Sequence, residues 1–318
     1  MKSKLVWIIG IVVVILLAVL LLGSFYFSNL LIDRETHDLA NGQEQLRDIT
    51  SQMDVPDNFS LPSPEEVSID AGDVTLSGSF YENDQNGDCA VLMLHGYTGT
   101  RYGVMQYAPL FWERGCHLLA YDARGHGVST DAYHTYGYHE KEDGQAAYEW
   151  LLERSQLAPS QVGLAGVSYG AATALQMLPL TPDVAFVLAD SPYQDLRTIV
   201  AHQALEQFGS WTSAFVPTAF FISELRAGFD VDEVSPSMAV AGATAPVLLV
   251  HSSTDGFTPS SHSEAIFANS NQVTTELHIN QWGSSHAADI VTDYETYDAI
   301  VDGFLAEQVP NFGESSGR

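Results

Sequence analysis

Hydrophobic positions follow three patterns along the chain: one long unbroken run, then a polar stretch, then a series of short apolar runs. The first run, residues 5–22, holds eighteen residues without a charge, and residues 23–27 extend it to 23. At about 1.5 Å per residue, a helix of this length crosses a hydrocarbon core of about 30 Å. We therefore predict that residues 1–27 form a transmembrane anchor and that residues 5–27 contact the membrane.

The residues at the end of this apolar run favour an anchor over a cleaved signal peptide. A signal peptide has a shorter apolar region and a small-residue cleavage site, whereas residues 25–27 are aromatic, as is common at a membrane interface. Lys2 and Lys4 precede the run, and acidic residues follow it from Asp33 onward. The positive-inside tendency then predicts a single-pass cell-membrane protein with a cytoplasmic N-terminus and a catalytic domain outside the cytoplasm.

The polar stretch that follows, residues 28–64, reads as a partly helical stalk that leads into a proline-containing linker. Residues 65–310 carry the globular pattern, and residues 311–318 form a flexible polar tail. The chain therefore predicts an anchor, a stalk, one large domain and a short tail.

The globular part alternates short apolar runs with helical segments. Residues 66–81 predict two short strands around a turn at residues 71–72. Further apolar runs cover residues 90–94, 117–121, 162–165, 185–188, 247–250 and 275–279, and helical segments such as 141–154 and 171–178 lie between them. This alternation predicts a mostly parallel sheet with helices on both faces, whose chemistry gathers at the carboxyl ends of the strands.

Composition narrows the possible partners. The net charge is −28, from 40 acidic against 12 basic residues. Binding to nucleic acid needs clusters of Lys and Arg, so nucleic acid is excluded as an expected partner. The acidic residues are scattered rather than grouped at ligand spacing, which indicates a solvated surface and no metal site. No organic cofactor is implied either.

A candidate nucleophile lies in residues 166–170, which read Gly-Val-Ser-Tyr-Gly and fit the pattern G-x-S-x-G. The motif follows an apolar strand and opens a helix of small residues, which is the context it needs. Glycine at both ends allows a tight strand-to-helix turn that lifts the hydroxyl of Ser168 into a cleft. The alternative is a serine that only caps the helix.

A serine hydroxyl needs a base to take its proton, and a nucleophile of this type is followed in the chain by its acid and then by its base. His286 lies in a loop between the last predicted strand and the next helix, where an imidazole can reach the serine. His251 lies inside an apolar strand and is interpreted as structural, and His278 and His262 are interpreted as non-catalytic.

The acid is expected after the penultimate strand, where Asp255 follows residues 247–250. Its role would be to orient the imidazole and stabilise its protonated form. An aspartate that only bonds its own turn is the alternative. Asp190, Asp230 and Asp232 are rival acids.

Residues 95–99, which read His-Gly-Tyr-Thr-Gly, follow the strand at 90–94. We expect the backbone amides of Tyr97 and Tyr169 to form an oxyanion hole, because backbone donors are held in place before charge develops. His95 is interpreted as bracing its loop. Asp122 and Arg124 are interpreted as ties between neighbouring loops.

These motifs together resemble a known family. The segments HGYTG, YDARGHGVS and GVSYG, the Asp255 turn and the His286 loop occur in the order and spacing of α/β hydrolases. The chain most resembles membrane-anchored bacterial hydrolases similar to serine aminopeptidases and to the catalytic domain of acylaminoacyl-peptidases. The resemblance implies an eight-stranded, mostly parallel sheet and a short helical lid at about residues 191–245. Relatives often carry Glu or His where this chain has Val167, which leaves the mechanism intact.

Five aromatic residues of the predicted lid are candidates for the substrate pocket or, alternatively, for ordinary packing between lid and core: Phe208, Trp211, Phe215, Phe220 and Phe221. The function expected is hydrolysis of a small-molecule carboxylic ester with a short acyl or aromatic group through an acyl-enzyme. The alternatives are an amide hydrolase similar to aminopeptidases or acylaminoacyl-peptidases, and an inactive surface-binding protein with the same fold.

The two cysteines, Cys89 and Cys116, precede two strands that are expected to be adjacent and parallel. Their thiols could lie side by side and oxidise outside the cytoplasm. Because cross-strand disulfide geometry is often strained, we favour two buried free thiols.

Overall fold

A single eight-stranded sheet organises the domain in the computed structural model, which describes residues 2–55, 59–85 and 88–313. Its strands are β1 Glu65–Asp70, β2 Thr75–Tyr81, β3 Ala90–Leu94, β4 His117–Tyr121, β5 Val162–Val167, β6 Val187–Asp190, β7 Val247–Ser252 and β8 Thr275–Asn280. The spatial order is β1-β2-β4-β3-β5-β6-β7-β8. β2 pairs antiparallel with β1 and β4, and every other pairing is parallel.

The mostly parallel sheet predicted from the short apolar runs is confirmed. β3 and β4 coincide with the predicted runs 90–94 and 117–121, and all residues of both strands are buried. A strand covered by helices on both faces has no solvent side, so it reads as a continuous apolar run.

Helices cover both faces of the sheet. The α-helices are α1 Lys2–Ile32, α2 Leu39–Thr50, α3 Ala108–Trp112, α4 Glu140–Ser155, α5 Tyr169–Met177, α6 Leu196–Phe208, α7 Val216–Ala227, α8 Pro236–Ala239, α9 Ser261–Asn269, α10 Asp289–Thr292 and α11 Tyr294–Gln308. Buried residues of α4, α5 and α9 form one core cluster with the sheet, and residues of α3, α10 and α11 form a second cluster on the other face.

A third core cluster joins the predicted lid to the end of α1. It contains Leu31 and Ile32 from α1 together with Ile199 of α6 and Phe220 of α7. The lid predicted at residues 191–245 holds α6, α7 and α8. Therefore α1 does not end at the edge of the domain but contributes to its core.

The stretch predicted as a stalk, residues 28–64, lies against the domain where the structure describes it. α2 packs beside the 3₁₀ helix Arg101–Tyr107, and Gly42 faces Thr100 so closely that a Cβ would lie 2.1 Å from the Thr100 hydroxyl. The backbone N–H of His37 donates to the Thr98 carbonyl at 2.9 Å. Residues 56–58 of this stretch, and residues 314–318 of the predicted tail, lie outside the described residues.

The expectation of two free thiols is wrong, because Cys89 and Cys116 form a disulfide with a Cα–Cα distance of 4.6 Å. Cys89 directly precedes β3 and Cys116 directly precedes β4, and these strands pair in register from Ala90 opposite His117. That the two thiols lie side by side was predicted correctly, but the strain of a cross-strand bridge was given too much weight. The bridge lies just before the strands begin, where the Cys89 carbonyl accepts from the His117 amide at 2.9 Å and the Cys116 amide donates to the Phe111 carbonyl at 3.2 Å.

One helix within the described residues is long and apolar enough to span a membrane, and it runs from Ser3 to Ile32. Side chains up to Leu22 are almost all exposed, whereas Ser24, Ser28, Leu31 and Ile32 are buried. The helix thus has an unpacked first part and a packed last part.

Candidate active site

Ser168 sits at the sharp turn between β5 and α5. Its backbone angles are φ 55° and ψ −113°, a left-handed conformation that a side chain rarely adopts and that costs about 1–3 kcal/mol. Gly166 and Gly170 make the turn possible. A Cβ at Gly166 would lie 2.5 Å from the Gly170 carbonyl carbon, and one at Gly170 would lie 2.1 Å from the Leu94 carbonyl oxygen.

The structure brings together the three side chains predicted as nucleophile, base and acid. His286 Nε2 lies 2.8 Å from Ser168 Oγ, and His286 Nδ1 lies 2.6 Å from Asp255 Oδ2. Asp255 is buried, while the imidazole of His286 keeps about a fifth of its surface exposed. This is a continuous hydrogen-bonded path from a buried carboxylate to a hydroxyl at the cleft.

The loop after β7 holds Asp255 as a carboxylate. Its Oδ1 accepts hydrogen bonds from the backbone N–H groups of Phe257 and Thr258, both at 2.9 Å. Burial alone would raise the pKa of Asp255, but hydrogen bonds from His251 and His286, the charge of His286 and the Thr258 amide together lower it below its ordinary value. The carboxylate is therefore charged at neutral pH and can stabilise a protonated imidazole.

The His286 loop is fixed by contacts to the neighbouring loop. The hydroxyls of Ser252 and Thr254 donate to the Ser284 carbonyl at 2.7 and 2.8 Å, and Ala287 has a left-handed φ of 57°. The backbone around His286 is thus held by the neighbouring loop, while Asp255 and the ring of Phe257 hold the imidazole.

The two backbone amides predicted as an oxyanion hole belong to the residue after Ser168 and to the loop that follows β3. Gly96, one residue before Tyr97, lies close enough to Ser168 that a Cβ there would be 3.8 Å from the serine Cβ. In the part of the chain that the structure describes, neither the Tyr97 nor the Tyr169 amide donates a hydrogen bond to a protein group. The assignment of these two amides to an oxyanion hole stays a prediction.

His95 contacts the loop after β4, in line with its interpretation as a bracing residue, and His126 contacts the loop after β3 from the other side. His95 Nε2 accepts from the Ala123 amide at 3.0 Å, and His126 Nε2 accepts from the Thr98 amide at 3.2 Å. Burial lowers the pKa of both rings, which keeps them neutral and able to accept. Asp122 and Arg124 are also ties: Asp122 binds buried Arg101 and Arg124 binds Asp143.

The rival acids do not reach the imidazole. Asp190 accepts from the hydroxyls of Tyr107 and Tyr297 at 2.8 and 2.9 Å and from Ser191. Burial raises its pKa even though these hydrogen bonds lower it. Asp230 caps a short 3₁₀ helix and Asp232 pairs with Arg197 at the surface.

The other histidines downstream of Ser168 make their contacts away from the serine, although His251 Nε2 lies 3.3 Å from Asp255 Oδ2. His251 is buried, with ring nitrogens 2.7 Å from Ser263 Oγ and 2.6 Å from the Thr258 carbonyl. His262 Nδ1 accepts from the Gln194 amide at 3.2 Å, and burial lowers its pKa to about 4. Of the histidines after Ser168, His286 is the one that the described structure brings to the serine.

Ser168 opens into an apolar cavity of about 270 Å³. Its lid wall is formed by Ile199, Val200, Ala204, Phe208, Ala219 and Phe220, and its sheet wall by Tyr97, Tyr136, Tyr169, Tyr193, Phe257 and Thr258. No Asp or Glu is among the described residues that line it. The site is therefore suited to an apolar group next to the serine.

Two of the five predicted pocket aromatics, Phe208 and Phe220, line this cavity. Trp211 and Phe215 instead pack their rings on Phe27, at centroid distances of 5.9 Å each. Phe221 is 58% exposed on the outer face of α7. Phe220 and Phe221 face in different directions because consecutive residues are about 100° apart around a helix.

The wall that α1 provides was not predicted from the sequence. Four α1 residues line the cavity, namely Tyr26, Phe27, Leu30 and Leu31, and Arg34 lines it from the segment just after the helix. The i, i+1, i+4, i+5 spacing of the four marks one face of a helix. Apolar residues at 30–32, beyond the predicted end of the membrane span, were the available signal.

Comparison with known proteins supports the fold and the superfamily of the chain. The model of the X-Pro dipeptidyl-peptidase (S15) family matches residues 79–224, and the fold agrees with that of a Pyrococcus furiosus esterase, Pf2001, with a TM-score of 0.63 at 22% identity over 80% of this chain and 97% of that one. The chain belongs to the α/β-hydrolase superfamily.

Other members of the superfamily agree over less of their length or remain uncharacterised. YqkD of Bacillus subtilis, an uncharacterised protein, is 29% identical over 68% of this chain and 70% of its own. A thermostable monoacylglycerol lipase of Bacillus sp. is 25% identical over 40% of this chain and 49% of its own. The acylaminoacyl peptidase of Pyrococcus horikoshii has a TM-score of 0.61 at 15% identity, covering 81% of this chain and 44% of that one. Together with the S15 match, they support a hydrolase of the esterase or peptidase type.

Proposed function

We propose that this α/β hydrolase is a serine esterase that acts through an acyl-enzyme, with Ser168 as nucleophile, His286 as base and Asp255 as the acid that orients it. The observation that carries the proposal is the hydrogen-bonded path from Asp255 through His286 to Ser168, at 2.6 and 2.8 Å, beside an apolar cavity.

In the proposed reaction, Ser168 Oγ attacks the ester carbonyl carbon while its proton passes to His286 Nε2. The amides of Tyr97 and Tyr169 stabilise the negative oxygen that develops. The bond to the leaving alcohol breaks and the alcohol takes the proton from His286. Water then attacks the acyl carbon and gives a proton to His286. The bond from that carbon to Ser168 Oγ breaks, His286 returns the proton to Oγ, and the carboxylic acid leaves.

An ester is favoured over a peptide with a free amino terminus because of what lines the cavity. A buried ammonium group needs a carboxylate partner to offset its desolvation, and none of the described lining residues is acidic. The match to the S15 peptidase family favours a second candidate, hydrolysis of an amide similar to the substrates of aminopeptidases or acylaminoacyl-peptidases.

We further propose that α1 anchors the enzyme in the cell membrane and that the catalytic domain lies outside the cytoplasm. The span from Ser3 to Ile32 and the lysines before it support this arrangement. The Cys89–Cys116 disulfide supports it independently, since disulfides persist mainly in oxidising compartments.

Labelling with a fluorophosphonate tests the nucleophile. The purified full chain should be labelled and should hydrolyse p-nitrophenyl esters, and Ser168→Ala should abolish both. Ser253→Ala is the matched control, because Ser253 is an exposed serine in the nearby loop after β7. Labelling that survives in Ser168→Ala, or no labelling of the wild type, contradicts the proposal.

A substrate panel separates the two candidate functions. Initial rates with p-nitrophenyl esters would be compared with those for aminoacyl and acylaminoacyl p-nitroanilides. A higher kcat/KM for the esters supports the esterase proposal, and a higher kcat/KM for the anilides supports the amide hydrolase.

A further inference from the structure

The last turns of α1 are docked against the lid by specific contacts. Ser24 donates to the Phe215 carbonyl at 3.2 Å, and Ser223 of α7 donates to Ser28 at 2.9 Å. Arg226, at the other end of α7, donates to the Asn29 side chain at 2.7 Å. The order of these contacts shows that α7 runs parallel to α1. This part of α1 is therefore packed into the domain.

The same turns form one wall of the cavity that contains Ser168. Tyr26 and Phe27 are the last residues of the predicted membrane span, and Leu30 and Leu31 follow one turn later. Ala204 lies on the lid wall of the same cavity. α1 therefore lines a cavity that extends from the end of the predicted membrane span to Ser168.

The end of α1 also bonds to the loop that carries the proposed oxyanion donor. The Leu31 carbonyl accepts from the hydroxyls of Tyr97 and Tyr136 at 2.9 and 3.0 Å. The Thr98 carbonyl accepts from the His37 amide at 2.9 Å. These bonds hold the α1 wall in a fixed position relative to the loop beside Ser168.

The lid exposes large apolar side chains next to the point where α1 leaves the predicted span. Trp211 is 59% exposed and Phe208 is 37% exposed, and both rings contact Phe27 at the end of the span. Phe221 and Leu225 are exposed on α7. An apolar patch with an aromatic residue beside a membrane helix is typical of a surface that rests in the membrane interface.

We propose that the acyl chain of a single-chain ester amphiphile lies along the Tyr26–Leu31 face of α1, between anchor and lid, and reaches Ser168 from the bilayer. This rests on the proposed esterase function and names its substrate class. A cavity of about 270 Å³ is close to the lower limit of about 300 Å³ for small-molecule pockets, which suits one chain. The anchor is then a specificity-determining part of the enzyme.

The first test narrows the cavity from the α1 side in the full chain, reconstituted in phospholipid nanodiscs. Leu30→Trp should lower the ratio of kcat/KM for p-nitrophenyl decanoate to that for p-nitrophenyl acetate by tenfold or more, because the indole fills the space of the chain. Leu22→Trp makes the same change on the same helix at a residue that is 72% exposed and outside the cavity. It should leave both rates unchanged.

Ala204→Trp narrows the cavity from the lid wall and should lower the same ratio, which keeps the test decisive if Leu30→Trp fails to fold. If a folded Leu30→Trp or Ala204→Trp protein keeps the wild-type ratio, the cavity does not hold the acyl chain and the inference fails. Fluorophosphonate labelling is recorded in parallel. If wild-type protein is neither labelled nor active on either ester, it is the esterase proposal that fails.

The second test determines whether the substrate's acyl chain enters the cavity from the bilayer or from water. The full chain would be reconstituted in vesicles that contain 1-monodecanoylglycerol, diluted with a non-hydrolysable ether lipid at constant bulk concentration. Entry from the bilayer predicts a rate that falls with the mole fraction of substrate in the membrane. A rate that is indifferent to mole fraction and follows bulk concentration overturns entry from the bilayer.

Discussion

Removal of the disulfide should weaken the domain without changing its chemistry. Cys89 and Cys116 are 27 residues apart and both are buried. The chain-entropy relation for a loop of this length gives about 3.5 kcal/mol of stabilisation at 25 °C. The double variant Cys89→Ala/Cys116→Ala should therefore lose about 3.5 kcal/mol of unfolding free energy.

The loss can be read from urea unfolding of the full chain in detergent micelles, followed by tryptophan fluorescence. With a slope of about 2–3 kcal/mol/M, the midpoint should fall by about 1.2–1.8 M. Dithiothreitol should have no effect on the double variant, which is the control. A change of less than about 1 kcal/mol would refute the entropic reasoning.

Ester hydrolysis at 25 °C should stay within about twofold of the wild-type rate. The bridge lies at the amino ends of β3 and β4, whereas Ser168 follows the carboxyl end of β5. Five residues at about 3.3 Å each separate these two edges by roughly 16 Å. If activity falls while the protein remains folded, the disulfide has a role at the site that these distances do not explain.

Three further changes probe the site and its supports. Asp255→Asn should lower kcat by about 10³–10⁴ at neutral pH, because the imidazole loses its orienting carboxylate. Since the folded-state pKa of Asp255 is lowered, its contribution to unfolding free energy is present at neutral pH and is lost as pH falls below about 5. The stability difference between wild type and Asp255→Asn should therefore shrink in acid urea titrations. Gly170→Ala should prevent folding or cost more than about 3 kcal/mol, since its Cβ would lie 2.1 Å from the Leu94 carbonyl, while Gly256→Ala, with open space around it, should lower the urea midpoint little. Arg101→Met should cost about 3–5 kcal/mol in the same assay because it leaves buried Asp122 without its ion pair.

The centre of the sheet was predictable from sequence because its strands are buried on both faces. β3 is a uniform apolar run, β4 is apolar after His117, and both are followed by Gly-containing turns, so local pattern alone marks them. The positions of Ser168, Asp255 and His286 were predictable for a related reason. Each follows a strand of a parallel sheet, and the carboxyl ends of those strands meet at one edge.

The pocket was only partly predictable because its walls depend on contacts between distant segments. The bond from Ser24 to Phe215 spans 191 residues, and no local pattern reports which helix faces another. Phe208 and Phe220 turn toward the cavity while Phe221 turns away, and this choice depends on how α7 lies against α1. Aromatic content alone could identify the lid but not its inner face.

Packing at the end of α1 predicts that the anchor is retained and not removed as a signal peptide. Ile32 is fully buried and Leu31 nearly so, which contributes roughly 3–6 kcal/mol relative to exposure. Leu31 also accepts two tyrosine hydroxyls, whose loss of a partner would cost about 1–3 kcal/mol for each group left buried. Cleavage anywhere from Tyr26 to Leu31 would remove part of the cavity wall. The intact mass of the mature protein purified from membranes should therefore include residues 1–32. A mature N-terminus within that range, with ester hydrolysis intact, would show that the site does not need α1.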